Sequence, residues 1–219
     1  MAESRAVEPK HEHIAQLLCQ FWPEASQSEA TVRGLRAWLE LLVAWNQKID
    51  LTAARTSEEL VDLFLADAAV LHRARGELAS DGSWLDVGSG AGAPGLGMAI
   101  FDSSLSMTLV EPNAKRVAFL RQVVGRLQLT RVRVRCARAE SLEASAAEEV
   151  VARATWSPSE WLEQGTRLTR HRVWILLARE AWEPPDGYRL EYSREYQWPL
   201  TGVPRRVVAV AAHQPQSER

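Results

Sequence analysis

Between residues 31 and 45 the apolar positions Val32, Leu35, Trp38, Leu39, Leu42 and Val43 recur at three- and four-residue intervals, which predicts one helix with a single apolar stripe. Thr56 with Glu59 three residues later has capping-box spacing and introduces a second helix, whose inward side holds Leu60, Leu63, Phe64, Val70 and Leu71. After Gly82 the period changes. Short runs at 84–87, 107–110, 132–136, 150–154, 173–178 and 207–211 read as strands. Helical stretches occupy several of the gaps, notably 114–127, with Val117, Leu120, Val124 and Leu127 inward. Alternating strand and helix predicts an α/β fold with a mainly parallel sheet covered on both faces. PPDG at 184–187 reads as a turn before a final antiparallel pair. The pattern divides the chain into an N-terminal helical extension over 1–55, the alternating domain over 56–213 and a tail over 214–219.

The segment WLDVGSGAGAPGLG, from 84 to 97, carries the candidate chemistry. Trp84, Leu85 and Val87 form a buried strand with Asp86 at its carboxyl end; Gly88, Gly90 and Gly92 follow at every second residue, and a helix starts near Pro94. Glycines so placed let the backbone turn sharply and let a ligand approach the peptide groups. GAGAPG also satisfies the GxGxxG spacing of dinucleotide folds, a weak match by itself. Asp86 argues against a pyrophosphate, which wants positive potential, and suits an ammonium or sulfonium group. The ligand carrying both beside an adenosine is S-adenosylmethionine. Glu111, at the end of the next strand, sits where a doubly wound fold holds ribose hydroxyls, and would serve NAD or S-adenosylmethionine equally. The plain alternatives are a capping carboxylate for Asp86 and a solvated strand end for Glu111.

Composition is ordinary for a globular protein: 219 residues, 46% hydrophobic and 25% charged. No apolar run reaches membrane-spanning length, and MAESRAVEPK lacks the apolar core of a signal peptide, so a cytoplasmic protein without a membrane partner is expected. Cys19 and Cys136 are too isolated for a disulfide framework, and His11, His13, His72, His171 and His213 show no ligand spacing, so no metal site is expected. The net charge of −2 hides a division: residues 1–111 carry 8 basic and 16 acidic groups, residues 112–219 carry 18 and 12. Most of the second-half cations are arginines, grouped at Lys115 and Arg116, at Arg131, Arg133, Arg135 and Arg138, at Arg167, Arg170 and Arg172, and at Arg205 and Arg206. Such groups are either solvated faces or contacts to nucleic acid.

In a doubly wound sheet, ligands bind beyond the carboxyl ends of the strands. The glycine loop, Glu111, RAES after the third strand and ARATW after the fourth should converge there. Ala139 and Glu140 would set backbone amides beside an adenine edge, and Arg153 would face the methionine half or the incoming substrate. The alternative for Arg153 is a strand-end arginine paired to a surface carboxylate. Trp156 and Trp161 are the aromatics best placed to stack a target base, with core packing as their other role.

WNQKIDLT at 45–52, DVGSGAGAPG at 86–95, KRVAFL at 115–120, RAE at 138–140 and RA at 153–154 together resemble the RsmG (GidB) family of bacterial small-subunit ribosomal RNA guanine-N7 methyltransferases. The resemblance runs from about Leu41 to Arg179. It implies a Rossmann-like class I methyltransferase sheet, mainly parallel with an antiparallel last strand, under an N-terminal helical cap. It also implies a donor site including Gly88, Ala93, the backbone at Ala139 and Glu140, and Arg153. The partner would be small-subunit ribosomal RNA or the 30S subunit, met by a monomer. Guanine N7 has a free lone pair and no proton to lose, so no general base is required and Arg153 is a positioning candidate. The chain departs from the family pattern at Asp50 (usually Asn), Phe64 (usually His), Ala152 (usually Ser), and Arg179 and Glu180 (usually Lys-Gly). These departures leave open a paralogue acting on another RNA or a small molecule, or a donor-binding protein without methyl transfer. An NAD-dependent oxidoreductase is disfavoured by Asp86 and by the lack of a Tyr/Lys or Cys/His set.

Overall fold

The computed structural model describes residues 7–21, 23, 28–178 and 181–211. Arg179, Glu180, His213 and the 214–219 tail lie outside the described residues. Helices α1 (His11–Phe21) and α2 (Glu29–Asn46) come first. A continuous helical run follows, made of α3 (Ser57–Val61), a π-helical turn (Asp62–Ala66) and α4 (Asp67–Glu77). The α2 stripe is buried at Val32, Leu35, Trp38, Leu39 and Leu42, while Val43 is half-buried. At the head of α3, Thr56 accepts from Glu59 N at 3.2 Å, but the Glu59 carboxylate reaches back to Arg55 N rather than to Thr56.

The sheet is built from β1 (Trp84–Val87), β2 (Met107–Val110), β3 (Val132–Arg135), β4 (Ala147–Ala152), β5 (Thr169–Leu177), β6 (Arg189–Gln197) and β7 (Pro204–Ala211), in the order β3-β2-β1-β4-β5-β7-β6. The first five strands are parallel; β7 runs antiparallel to both β5 and β6. Strand order reverses at β1, whose neighbours are β2 and β4, so the crevice beyond its carboxyl end is the expected ligand site. Between the strands lie α5 (Gly95–Phe101), α6 (Ala114–Arg126), a 3-10 turn (Ala139–Ser141) and α7 (Pro158–Leu168).

Several limits differ from the sequence pattern: β4 begins at Ala147 rather than 150, β5 at Thr169 rather than 173 and β7 at Pro204 rather than 207. β4 ends at Ala152, because Ala154 turns away with a φ of +54° and leaves Arg153 in the loop. β6 is a strand although its sequence, RLEYSREYQ, lacks an apolar alternation; it is an edge strand, and only Tyr196 in it is buried. α7 begins at a full capping box between Ser157 and Glu160 with Pro158 in the first turn, a local signal that precedes the helix directly.

The period-two alternation of the strands sorts the core into two layers. Trp84, Met107, Leu109, Val151 and Trp174 face one side, where they pack with α1, α2, α4, α5 and α6. Leu85, Val87, Val110, Val150 and Val173 face the other, with Trp161, Leu162 and Leu168 of α7. Close approach fixes both layers: a Cβ on Gly97 of α5 would stand 2.6 Å from Ala68 Cβ, and one on Gly165 of α7 would stand 2.6 Å from Val173.

The WNQKIDLT segment closes a turn beside the sheet. Asn46 Oδ1 accepts from Leu51 N at 2.8 Å and Thr52 N at 2.9 Å, while its Nδ2 donates to Thr52 O at 3.0 Å. Trp45 Nε1 donates to Gln122 Oε1 of α6 at 2.8 Å. The asparagine and the threonine are thus spaced as the turn requires.

Candidate functional site

β1 delivers Asp86 and the glycine loop to the crevice. Gly88 (φ +75°) and Gly90 (φ +56°) adopt the left-handed conformation that side chains disfavour. A Cβ on Gly88 would also lie 2.6 Å from Thr155 Oγ1. The loop is pinned from below: Gly88 N and Ser89 N both donate to Val110 O, and Ser89 Oγ donates to Asp86 O and accepts from Val110 N.

Glu111 stands at the end of β2, 3% exposed. One oxygen accepts from Gly90 N at 2.9 Å and the other from Asn113 N at 2.8 Å. Each carboxylate oxygen has two acceptor positions, so the fixed carboxylate can still receive a pair of hydroxyls. It lines a cleft of about 450 Å³ together with Gly88, Gly90, Ala93, Arg116 and Arg153. Leu51 from the Asn46 turn and Phe64 from the π-helical turn close the apolar side.

Beside the cleft is a recess of about 140 Å³, with Val87 and Val110 as its apolar floor and Ala139, Glu140 and Trp156 around it. Gly88 and Thr155 line both spaces. Arg167 holds the recess wall by donating to Ala139 O at 2.7 Å and Leu142 O at 2.8 Å.

On the other side opens a chamber of about 480 Å³, walled by Trp156, Trp161, Ile175, Leu177, Trp198 and Arg205. Leu63 and residues 153–155 line both chamber and cleft. Arg153 is anchored there: its Nη1 donates to Leu63 O and pairs with Asp67 Oδ2 at 3.3 Å. Asp67 Oδ1 in turn accepts from Tyr196 OH at 2.7 Å and Trp198 Nε1 at 2.9 Å. Burial and the Asp67 charge push the Tyr196 phenol well above its ordinary value, so it stays a donor. Arg205 lies over the Trp198 ring at 4.0 Å.

The structure therefore brings Gly88, Gly90, Ala93, Glu111, Ala139, Glu140 and Arg153 around one connected crevice. It separates two expected members. Asp86 is 1% exposed and does not line the cleft; its Oδ2 accepts from Gly95 N at 3.0 Å, holding the start of α5. Its other oxygen is buried without a hydrogen-bond partner, and desolvation, the largest influence, pushes its pKa up to about 6. Gly92 is likewise absent from the cleft wall and packs against Leu96. Arg153 is paired, but to the buried Asp67 rather than to a surface carboxylate. Trp161 is a core residue, stacked on Trp156 at 5.4 Å and donating to Trp174 O, whereas Trp156 borders both recess and chamber. Asp67, Tyr196 and Trp198 were not expected at the site, since their partnership spans 129 and 131 residues.

The crevice fits S-adenosylmethionine. Backbone lining the cleft at Gly88 and Gly90, a fixed carboxylate with acceptor positions to spare and an apolar-floored recess beside the 3-10 turn match the loop-bound, hydroxyl-bearing and planar parts of that molecule.

Residues 31–187 match the family model described as GidB: rRNA small subunit methyltransferase G. The chain is 44% identical over 133 residues to ribosomal RNA small subunit methyltransferase G of Halorhodospira halophila, covering 61% of each chain. It is 40% identical over 183 residues to the Stenotrophomonas maltophilia (strain K279a) protein of the same name, covering 80% of this chain and 84% of that one. The chain thus spans less than two thirds of the Halorhodospira relative. Among solved structures, yhhF from Escherichia coli, described as a candidate methyltransferase, superposes with a TM-score of 0.52 at 14% identity, covering 68% of this chain and 86% of that chain. A candidate RNA methyltransferase from Pyrococcus horikoshii gives 0.51 at 12% identity, covering 68% and 84%. These two likenesses establish the Rossmann-like fold of the sheet, which in this chain lies beneath N-terminal helices. The match over 31–187 establishes the lineage: the chain belongs to the GidB family, rRNA small subunit methyltransferase G.

Proposed function

We propose that the protein is an S-adenosylmethionine-dependent methyltransferase acting on guanine N7 of small-subunit ribosomal RNA. One observation carries the reading: the cleft that fits the donor and the tryptophan-walled chamber are divided only by residues that line both, Leu63 and 153–155. A donor and an acceptor placed in the two spaces would meet at Arg153.

The donor supplies an electrophilic methyl group on a sulfonium. The chain's part is to bind and align. Glu111 receives the ribose hydroxyls, Gly88 and Gly90 leave the backbone open to the methionine half, and the recess at Ala139 and Glu140 takes the adenine. Trp156, Trp198 and the Arg205 guanidinium above it offer π-faces for a planar acceptor. Arg153, held by Asp67 and Leu63 O, is the fixed cation between the two molecules. A guanine N7 lone pair attacks without losing a proton, so alignment and exclusion of water carry the catalysis, worth about 7–11 kcal/mol in favourable cases. Asp86 acts behind the loop rather than on the donor.

A second reading has specific support. Phe64 lines the donor cleft and Ala152 lines the chamber, and both differ from the family's usual residue. An altered acceptor, or loss of transfer with donor binding retained, would follow from changes at those walls. We further read residues 1–55 as the cap, 56–213 as the methyltransferase domain, and the protein as a cytoplasmic monomer. No helix among the described residues is long and apolar enough to cross a membrane.

Calorimetry against S-adenosylmethionine and NAD, followed by transfer of labelled methyl from donor to ribosomal RNA, tests the function. Donor binding with label in RNA supports it. Donor binding without label favours the second reading, and preference for NAD rejects both.

A further inference from the structure

The charge division of the sequence becomes sharper in three dimensions. Residues 112–138 hold eight basic groups and no acidic one, whereas residues 139–219 hold ten basic and twelve acidic groups. The positive excess of the C-terminal half thus lies wholly in α6, β3 and the loop after it.

Arginines elsewhere are mostly engaged. Arg33, Arg36 and Arg73 pair along their own helices, Arg75 pairs with Asp102, Arg170 with Glu148, and Arg206 with Glu183. Arg172 is buried between Glu149 and Glu191. Among the described residues, none of the eight cations from 112 to 138 forms an ion pair. Guanidiniums tied to carboxylates serve the fold; a group of them left without anions is a surface made for an external anion.

The placement is ordered. β3 is the edge strand on the β2 side of the sheet, with Val132 and Val134 turned to the helical layer and Arg133 and Arg135 on the opposite face. On that face α7 packs over β4 and β5, so the arginines of β3 stand exposed. Arg133 and Arg135 share one side at a spacing of about 6.6 Å, two residues of strand rise, and Arg131 stands exposed in the turn immediately before the strand. The row runs directly to the crevice. Arg135 O accepts from Glu111 N at 3.1 Å, Arg138 lines the recess, and Arg116 lines the donor cleft.

We propose that the row Arg131, Arg133 and Arg135 on the β3 edge, continued by Arg116 and Arg138 at the crevice mouth, is the tract on which the phosphate backbone of the acceptor RNA lies. This rests on the RNA reading given above and adds where the strand is held. A regular line of unpaired cations leading to a crevice favours a polyanion over a single phosphate, because each phosphate neutralised releases a counterion and the gains accumulate along the strand. It also assigns a different task to the two arginine sets: those of β3 grip, whereas Arg167, Arg170 and Arg172 brace the fold.

The test is fluorescence-anisotropy titration of transcribed small-subunit ribosomal RNA with S-adenosylhomocysteine present, between about 50 and 200 mM salt. The triple variant Arg131→Gln, Arg133→Gln, Arg135→Gln should bind at least about tenfold more weakly at the low-salt end. Its slope of log affinity against log salt should be shallower by about 2–3, at roughly 0.7–0.9 for each phosphate no longer neutralised. The variant Arg33→Gln, Arg36→Gln, Arg73→Gln, which removes ion-paired arginines, should match the unaltered protein in both. Unchanged S-adenosylhomocysteine affinity by calorimetry shows that the donor cleft of each variant is intact. Equal RNA affinity and slope for the β3 variant and the unaltered protein would overturn the tract alone. Failure of the unaltered protein to bind RNA, with S-adenosylhomocysteine still bound, would overturn the acceptor class and the tract with it.

Discussion

Arg153 Nη1 and Asp67 Oδ2 lie 3.3 Å apart, an ion pair that ties the loop after β4 to the first residue of α4. Asp67 also takes hydrogen bonds from Tyr196 and Trp198 of the C-terminal hairpin, so one carboxylate joins three separate parts of the chain at the boundary between cleft and chamber. Removing its charge should be felt in both stability and transfer. Asp67→Asn presents an amide to Arg153 in place of a carboxylate, and we expect a loss of about 1.5–3 kcal/mol, the size of a hydrogen bond to a charged group. Urea denaturation measures the loss, and methyl transfer should fall more than donor affinity does.

Glu111 is the carboxylate assigned to the donor ribose. Glu111→Gln keeps an oxygen for Gly90 N but gives up the charge, and should weaken S-adenosylhomocysteine binding by about 1.5–3 kcal/mol in calorimetry. Unaltered affinity would remove Glu111 from the donor site.

Asp86 makes a pH signature. Its pKa is raised by burial from 3.8 to about 6, so the folded state binds its proton more tightly than the unfolded state does. The stability this group contributes is fully present below the unfolded value and is lost as pH rises through 6. Asp86→Asn mimics the protonated form and removes that dependence. The stability of the variant relative to the unaltered protein should rise by about 2–2.5 kcal/mol between pH 4 and pH 7.5, most of the full linkage at 1.36 kcal/mol per pKa unit, as read from denaturation curves at both pH values. A difference independent of pH would contradict the buried, unpartnered state of this carboxylate.

Asn46 closes the turn that presents Leu51 to the cleft. Asn46→Ala strips three hydrogen bonds from a half-buried turn, and we expect about 1–3 kcal/mol of destabilisation in thermal or urea melts. Donor affinity should decline as well, since the apolar side of the cleft loses its fixed edge.

The parts of the site legible in the sequence are those encoded by short spacing. The glycine loop and Glu111 follow their strands directly, and the strand-helix alternation places both at the switch point. Asp86 marks where short spacing stops being informative. Its position at a strand end is visible, but its direction follows from the pleat: Leu85 and Val87 face the α7 layer, so Asp86 turns with Trp84 toward the helical layer and meets the amide of Gly95. The Asp67 hub was out of reach for another reason. No periodicity links a helix residue to Tyr196 and Trp198, and β6, expected only as half of a final antiparallel pair, carries too few apolar positions to fix its limits. The arginine groups look alike in sequence and are sorted only by the carboxylates that the fold brings to Arg170, Arg172 and Arg206.

The most direct measurement of methyl transfer to guanine N7 is nucleoside mass spectrometry of small-subunit ribosomal RNA from cells with and without this gene. One 7-methylguanosine should disappear with the gene and return with the unaltered chain, but not with Glu111→Gln at limiting donor. An identical set of methylated nucleosides in the two strains would contradict the proposed function.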